Sequence, residues 1–434
     1  MPHTLHDVLP SSARLRSDGH LEIGGADTVA LAREFGTPLF VMCEDTFRER
    51  ARRYREAYPD SDVYYAGKAF LCVAMARMVA EEGLGLDVAS GGELFTALKA
   101  SFPPERIIFH GNNKSDAELE MGLKAGVGRI VADSMEELER ADSIAGSLGA
   151  RAKMMLRVTP GVEAHTHEYI QTGQEDSKFG MSVEGGVALE AAKRARDLPN
   201  LDVVGFHSHI GSNITGVEAF LRTVEIMSEF CASVRDATGI TPEELNLGGG
   251  LGIAYTRGDF PARVESFATD VRAKLNEEMK RHGLPVPRIG VEPGRWLIAN
   301  AMVTLYSVGT VKEIPGIRTY VSVDGGMSDN IRPALYGARY EALLANKADV
   351  PSDRVVTIAG SHCEQGDLLI KDVSLPASVA RGDILAIPAT GAYGYSMASN
   401  YNRFPRPAVI AVKDGNAREI VARETYEDLV ARDL

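Results

Sequence analysis

From about residue 44 the chain alternates short β-rich runs with helical patterns eight times over, and few folds accept such a repeat. The β-rich runs lie near 63–66, 85–88, 106–110, 129–132, 153–159, 203–209, 244–248 and 289–292. Helical spacing fills 72–82, 91–100, 115–125, 134–148, 184–198, 217–238 and 261–282 between them. A strand followed by a helix and then by another strand pairs in parallel. Eight such units closing on themselves make a (β/α)8 barrel, whose ligands sit at the carboxyl ends of the strands. The alternative, an open doubly wound sheet, gathers its ligand at one switch point. Here, chemistry-bearing residues end the first, second, sixth, seventh and eighth runs, which favours the barrel.

After about residue 300 the texture changes. Ala301–Lys312, Thr319–Asp324, Arg354–Ala359, Asp383–Pro388 and Arg406–Val412 read as strands without long helices between them, an antiparallel β pattern broken by Gly, Pro and Asp turns. His20–Ile23 and Pro38–Met42 are strand-like and are expected to join that sheet. The expected architecture is α/β: N-terminal strands over 1–43 joining the β domain, a TIM-like (β/α)8 barrel over 44–300, and a mostly antiparallel β domain over 301–434.

Composition narrows the function classes. With 44% hydrophobic and 25% charged residues, the chain has the material for a large core. Sixty acidic against 47 basic residues give a net charge of −13, which opposes binding to nucleic acid or to an anionic membrane. The start, Met1-Pro2-His3-Thr4-Leu5-His6-Asp7, has no basic stretch leading into an apolar one, and no run approaches the ~18 to 20 apolar residues that span a bilayer. A cytoplasmic protein is expected. Cys43, Cys72, Cys231 and Cys363 are widely spaced with no C-x-x-C pair, so neither a disulfide framework nor a zinc site is indicated.

Lys68, in Tyr64-Tyr65-Ala66-Gly67-Lys68-Ala69-Phe70, ends the first strand and offers an amine to the barrel's active face. Gly248-Gly249-Gly250-Leu251-Gly252 follows the seventh strand and matches neither a P-loop nor a dinucleotide fingerprint, but three successive glycines let backbone N–H groups approach a phosphate. Glu292-Pro293-Gly294-Arg295 ends the eighth strand, where a carboxylate facing a pyridine nitrogen would keep that nitrogen protonated. His207 and His209, two apart in His-Ser-His-Ile-Gly-Ser, face one way. We favour His209 as a flat ring stacked on a cofactor and His207 as a packing residue. Cys363, in Gly-Ser-His-Cys-Glu-Gln-Gly-Asp, is a loop thiol suited to donating a proton to a carbanion, and the run from Gly391 to Asn402 adds phenols and amides for phosphate oxygens. Together these features describe a pyridoxal phosphate site.

With these blocks in order, the sequence resembles the alanine-racemase-like (fold type III) pyridoxal phosphate enzymes, and among them most closely the amino-acid decarboxylases that act on meso-diaminopimelate. The resemblance rests on Tyr65-Ala66-Gly67-Lys68-Ala69, the block Leu86–Leu94, Glu163-Ala164-His165-Thr166-His167-Glu168, Lys178-Phe179-Gly180 and the block Asp324–Gly337. It implies that Lys68 holds the cofactor and that Cys363 is the second catalytic residue. It also implies that His209 stacks on the ring and Glu292 pairs with its nitrogen. Ser212, Gly249, Gly250, Gly294 and Tyr393 would hold the phosphate, Arg295 would also bind the cofactor, and Asp87 and Arg157 would orient the lysine and the ring oxygen. Arg295, Arg332, Tyr336, Glu364 and Tyr393 would read the substrate's far end, where a carboxylate calls for arginine and an ammonium for an acid. A homodimer that shares its active sites is likewise implied, as is a reaction yielding L-lysine and CO2. Two departures stand out: Gly67 replaces a bulkier residue, and Arg339 occupies a position often uncharged or aromatic.

Other readings predict different observables. A sister decarboxylase acting on ornithine, arginine or a carrier-bound acyl group would keep Lys68 and Cys363 but alter the distal residues. A metal-dependent barrel hydrolase would be built on His207 and His209, with His110 and Asp87 as further ligands. His165 and His167 could serve as ligands too, although a polar loop is their expected home. The favoured reading has no metal.

Overall fold

Eight parallel strands close into a ring in the computed structural model, which describes residues 7–162 and 177–434. In chain order they are β1 (Asp62–Ala66), β2 (Gly85–Val88), β3 (Ile107–Phe109), β4 (Arg129–Ala132), β5 (Ala152–Thr159), β6 (Leu201–His207), β7 (Glu244–Asn246) and β8 (Arg288–Val291). Each pairs in parallel with the next, and β8 returns to β1 through Gly290 opposite Asp62 and Val291 opposite Val63. Near-continuous apolar runs such as Ile107-Ile108-Phe109 suit strands that are covered on both faces. Tyr64, Ile108, Val131, Met155 and Val204 pack together as one buried cluster drawn from five of the strands.

The helices that follow β2, β3 and β4 share one device. Ser90, Ser115 and Ser134 cap the helices Gly91–Lys99, Asp116–Ala125 and Met135–Ser147, each hydroxyl accepting the N–H of a glutamate three residues on. The glutamates then reach back to the loops: Glu93 accepts from the Ala89 N–H, Glu118 from the Ser115 and Gly91 N–H groups, and Glu137 from the Asp133 N–H. These loops carry the barrel's active face, so capping also fixes the site's rim.

At the opposite mouth Glu244 of β7 is buried between Arg129 of β4 and Arg288 of β8, and Arg288 also reaches Asp62 of β1 at 2.7 Å. Burial works to raise the Glu244 carboxyl, but the two guanidiniums outweigh it and hold it below the usual carboxylate range.

Contacts divide the chain into two compact units, one of Ala51–Gly252 with Pro261–Gly294, the other of the residues up to Arg50, Ile253–Phe260 and Arg295–Leu434. The second unit holds a sheet whose neighbouring strands are Leu368–Leu375, Arg354–Ala359, Arg318–Val323, Met302–Ile314, Leu39–Cys43, Ala408–Lys413 and Asn416–Val421. Ile384–Pro388 also pairs with Met302–Ile314 and with Leu343–Leu344. Most pairs are antiparallel; Arg318–Val323 with Arg354–Ala359 and Leu39–Cys43 with Ala408–Lys413 are parallel. Leu39–Cys43 is wholly buried because it lies between two strands of this sheet.

Leu21–Ile23 instead belongs to a separate three-stranded sheet with Arg14–Leu15 and Ala26–Asp27, since glycine turns at Gly19, Gly24 and Gly25 cut the run short. Its Leu21 and Ile23 side chains still enter the same apolar core as Val41, Val303, Leu305 and Ile410. Among the described residues no helix is long and apolar enough to cross a membrane. Glu163-Ala164-His165-Thr166-His167-Glu168 lies outside the described residues.

Removing the buried Glu244 carboxylate leaves two guanidiniums facing each other. A fully buried pair broken this way loses about 3–5 kcal/mol, but Arg288 is half-exposed, so Glu244→Ala is expected to cost about 2 kcal/mol in denaturant unfolding, and Glu244→Gln less.

Candidate active site

β1 runs into a single tight turn, Gly67–Ala69, that presents Lys68 with its side chain exposed. The turn lies so close to β2 that a Cβ on Gly67 would come within 2.8 Å of the Asp87 carbonyl oxygen, which accounts for the glycine where the resemblance expects a bulkier residue. Lys68 is near enough for its charge to act on Asp87, Glu93 and His209. Asp87 is buried, and burial pushes its carboxyl up against the pull of His110 and Lys68. The Ala66 N–H donates to the Pro293 carbonyl at 3.1 Å, and a Cβ on Gly294 would meet those of Ala66 and Ala69, so Gly294 packs against the lysine's turn.

Glu292, just past β8, is the electrostatic centre of this mouth. His110 Nε2 lies 2.7 Å from its Oε1, His207 Nε2 lies 3.1 Å from its Oε2, and Asn246 Nδ2 donates to Oε1 at 2.8 Å. Burial would raise the Glu292 carboxyl, but the two histidines outweigh it and hold it well below the usual range. His207 is pushed down to about 4, by burial first and against the attraction of Glu292, so its ring is neutral at physiological pH. His209 is driven well below its ordinary value by desolvation, helped by the positive charges of Lys68 and Arg157.

The glycine run is held open by close approach. A Cβ on Gly249 would sit 2.2 Å from the Glu292 carbonyl oxygen, and one on Gly250, at φ +121°, would sit 2.4 Å from that of Gly211. The Ile214 N–H donates to the Gly250 carbonyl at 2.8 Å, which brings the turn bearing Ser212 beside the glycines, and a Cβ on Gly248 would strike the His209 ring. Arg157, buried at the end of β5, lies over the Phe179 ring at 4.4 Å and 3.8 Å from Asp133, whose carboxylate accepts the Gly180 N–H at 2.9 Å. Thus the barrel unit gathers Lys68, Asp87, Arg157, His209, Ser212, Gly249, Gly250, Glu292 and Gly294 at one mouth.

The β unit carries the other candidates. Arg295 and Arg332 are buried among tyrosines: Arg295 reaches the Tyr255 hydroxyl and lies 4.9 Å over the Tyr393 ring, while Arg332 reaches the Tyr340 hydroxyl. Tyr393 sits at φ +60°, uncommon for a side-chain-bearing residue. Tyr336, half-buried, ends the short helix Arg332–Tyr336. Arg339 is exposed and lines a groove of about 530 Å³ with Tyr340, Glu341 and the strand Leu368–Leu375.

Cys363 and Glu364 are exposed on a separate loop of this unit. The Cys363 N–H donates to Asn402 Oδ1 at 3.0 Å. Behind it the buried Asp367 carboxylate accepts the His362 N–H at 2.9 Å and the Met327 N–H at 2.7 Å, and pairs with His362 Nδ1 at 2.8 Å.

Sequence reasoning named His110 only as a metal ligand and passed over Asn246, Glu93, Tyr255 and Tyr340. The available signal was a polar residue ending an apolar strand, as in Ile107-Ile108-Phe109-His110 and Leu245-Asn246-Leu247. Among the described residues, the potential ligand atoms that converge at this mouth belong to His110, His207 and Glu292, not to the pair His207 and His209.

Residues 44–299 match the family described as pyridoxal-dependent decarboxylase, pyridoxal binding domain. The chain is 49% identical over 427 residues to the diaminopimelate decarboxylase of Halalkalibacterium halodurans, covering 98% of this chain and 97% of that protein. It is 48% identical over 430 residues to the Bacillus subtilis enzyme of the same name, covering 98% of both. The solved diaminopimelate decarboxylase of M. jannaschii in co-complex with L-lysine superposes with a TM-score of 0.92 at 37% identity and 98% coverage of each chain. The chain therefore belongs to the pyridoxal-dependent decarboxylases and, among them, to the diaminopimelate decarboxylase family.

The family's cofactor is pyridoxal phosphate, and the barrel mouth fits it. Lys68 supplies an exposed amine, and the glycine run supplies a backbone cradle that side chains would fill. A carboxylate offers about four acceptor positions; Glu292 uses three within the chain, which leaves one for a ring N–H.

Between about pH 6.5 and 4 the unfolded chain protonates His207 while the folded one does not, so stability falls as pH drops through that window. Thermal unfolding followed by circular dichroism should show this slope in the wild type and a shallower one in His207→Gln.

Proposed function

We propose that the chain decarboxylates meso-2,6-diaminopimelate to L-lysine and CO2, the last step of lysine biosynthesis. The observation that carries this reading is near full-length similarity to proteins named for that reaction, together with an L-lysine co-complex in a close structural relative. Arg332 supports it: a buried guanidinium whose hydrogen bond within the chain goes to a phenol suits a substrate with a distal carboxylate.

When bound, pyridoxal phosphate supplies a protonated pyridine ring that takes up the electron pair left by a departing carboxylate. Lys68 Nζ would hold the cofactor through its aldehyde carbon. Glu292, kept ionised by its neighbours, holds the proton on the ring nitrogen. His209, kept unprotonated by burial, would stack on the ring without adding a charge. Backbone N–H groups of Gly249, Gly250 and Gly294, with the Ser212 and Tyr393 hydroxyls, would hold the phosphate, while Asp87 and Arg157 would orient Lys68 and the ring oxygen. Arg295, Arg332 and Tyr336 receive the distal carboxylate and Glu364 the distal ammonium. Cys363 Sγ delivers a proton to the α-carbon once CO2 has left.

We also read the enzyme as a cytoplasmic homodimer in which Cys363 and Glu364 serve the site of the other copy. An exposed thiol that must protonate a carbanion away from water needs a cover, and a second copy would provide it. None of the four cysteines is joined in a disulfide, which fits a reducing compartment.

Loaded with pyridoxal phosphate, the protein should release CO2 from meso-diaminopimelate and not from L-ornithine, L-arginine or L-lysine, and Lys68→Ala should release none. Release from another of these substrates would move the assignment to a sister decarboxylase. Cys363→Ala is expected to lower kcat by about 10² to 10⁴-fold. If the site is shared, mixing the inactive Lys68→Ala with the strongly impaired Cys363→Ala will raise activity above that of Cys363→Ala alone.

A further inference from the structure

Arg332 is 6% exposed, and among the described residues no carboxylate lies within ion-pair distance of its guanidinium. Buried arginines are ordinarily paired with an acid, because an uncompensated buried charge is costly. Here the neighbours are aromatic. Nη1 donates to the Tyr340 hydroxyl, and the guanidinium carbon lies 4.8 Å from the Tyr255 ring centroid and 5.7 Å from that of Tyr340. The two rings meet edge to face, with centroids 5.4 Å apart and planes at 85°, so they bound the guanidinium from two directions. Tyr255 belongs to Ile253–Phe260 and its hydroxyl also accepts from Arg295, so one phenol ties the two arginines into a single cluster.

The choice of phenol over acid has a chemical consequence. An aspartate or glutamate at position 340 would orient Arg332 equally well but would neutralise it and compete with any incoming anion. A neutral hydroxyl satisfies one N–H and leaves the charge intact. Burial pushes the Tyr340 phenol up, against the pull of Arg332, so it stays protonated at physiological pH. Aromatic faces add cation–π attraction without supplying a counter-ion.

We propose that Tyr340 and Tyr255 are positioning and specificity residues that hold Arg332 as an un-neutralised fork for the carboxylate of an amino-acid ligand. This rests on the reading that the substrate carries a distal carboxylate. It adds two residues that act through the arginine and not on the reacting atoms.

The test is Tyr340→Phe in the holoenzyme, which deletes one oxygen. Steady-state kinetics with meso-diaminopimelate are read beside calorimetric affinities for L-lysine, which has the carboxylate, and for 1,5-diaminopentane, which lacks it. KM and the L-lysine Kd are expected to rise by about tenfold, the loss of one hydrogen bond to a charged group, with kcat falling by less and diaminopentane binding unmoved. Equal weakening of both ligands, an unchanged L-lysine Kd, or a loss confined to pyridoxal phosphate affinity would each overturn the proposal, the last by assigning the fork to a phosphate. Should Tyr340→Phe fail to fold, Tyr255→Phe must show the same selective loss of L-lysine binding. A wild-type enzyme inactive on meso-diaminopimelate would overturn the functional reading instead.

Discussion

The barrel's active mouth is organised around one buried negative charge. Glu292 draws His110 from the end of β3, His207 from β6 and Asn246 from β7 to its two oxygens, at 2.7, 3.1 and 2.8 Å. A carboxylate taken out of water costs several kcal/mol, which only good geometry with several donors offsets. That requirement explains why three otherwise apolar strand ends finish in polar residues. The opposite mouth solves the same problem differently, since Glu244 is met by two guanidiniums and is neutralised. Glu244 is therefore structural, whereas Glu292, satisfied in part by an amide and by a neutral imidazole at His207, keeps charge to present to a cation. Arg332 repeats the logic with the sign reversed, a cation whose hydrogen-bond partner in the chain is a phenol.

The loop that carries Cys363 depends on a similar economy of donors. Thiols make weak hydrogen bonds, so a cysteine is held in place through its backbone. Asn402 takes the Cys363 N–H, and Asp367 binds both the preceding histidine and the Met327 N–H, so one buried carboxylate ties the thiol's loop to the turn that leads into Arg332.

Much of this was legible in the amino-acid sequence because parallel strands buried on both faces leave continuous apolar runs. Arg129–Ala132 has the predicted bounds for that reason, while Arg354–Ala359, antiparallel to one neighbour and with Val355 exposed, has its predicted bounds from its β-branched run alone. Leu368–Leu375 went unread because Asp372, at φ +55°, interrupts its apolar pattern, and Asn416–Val421 because it lies at the sheet's edge with much of its surface exposed. Lys68, Glu292, His209 and the glycine run stood out as chemistry placed at strand ends. The partners that give them their properties did not, because nothing in the local sequence says that His110 meets Glu292 or that Tyr255 meets Arg332. Those pairings join residues far apart in the chain and exist only once the strands are in register. The segment Ile253–Phe260, between the glycine run and the helix that follows it, belongs to the other unit for the same reason.

The interleaving of the two units has a consequence for how the protein is made. Leu39–Cys43, five wholly buried residues, leaves the ribosome early, yet its sheet partners begin at Met302 and Ala408. At about 10 residues per second the strand waits roughly half a minute for its second neighbour. Meanwhile all the strands of the barrel are synthesised, so the barrel can close while an apolar ribbon with unpaired edges stays tethered before it. The nascent chain is most exposed to misassociation through its first fifty residues, and that hazard ends only when the last strands of the β sheet arrive.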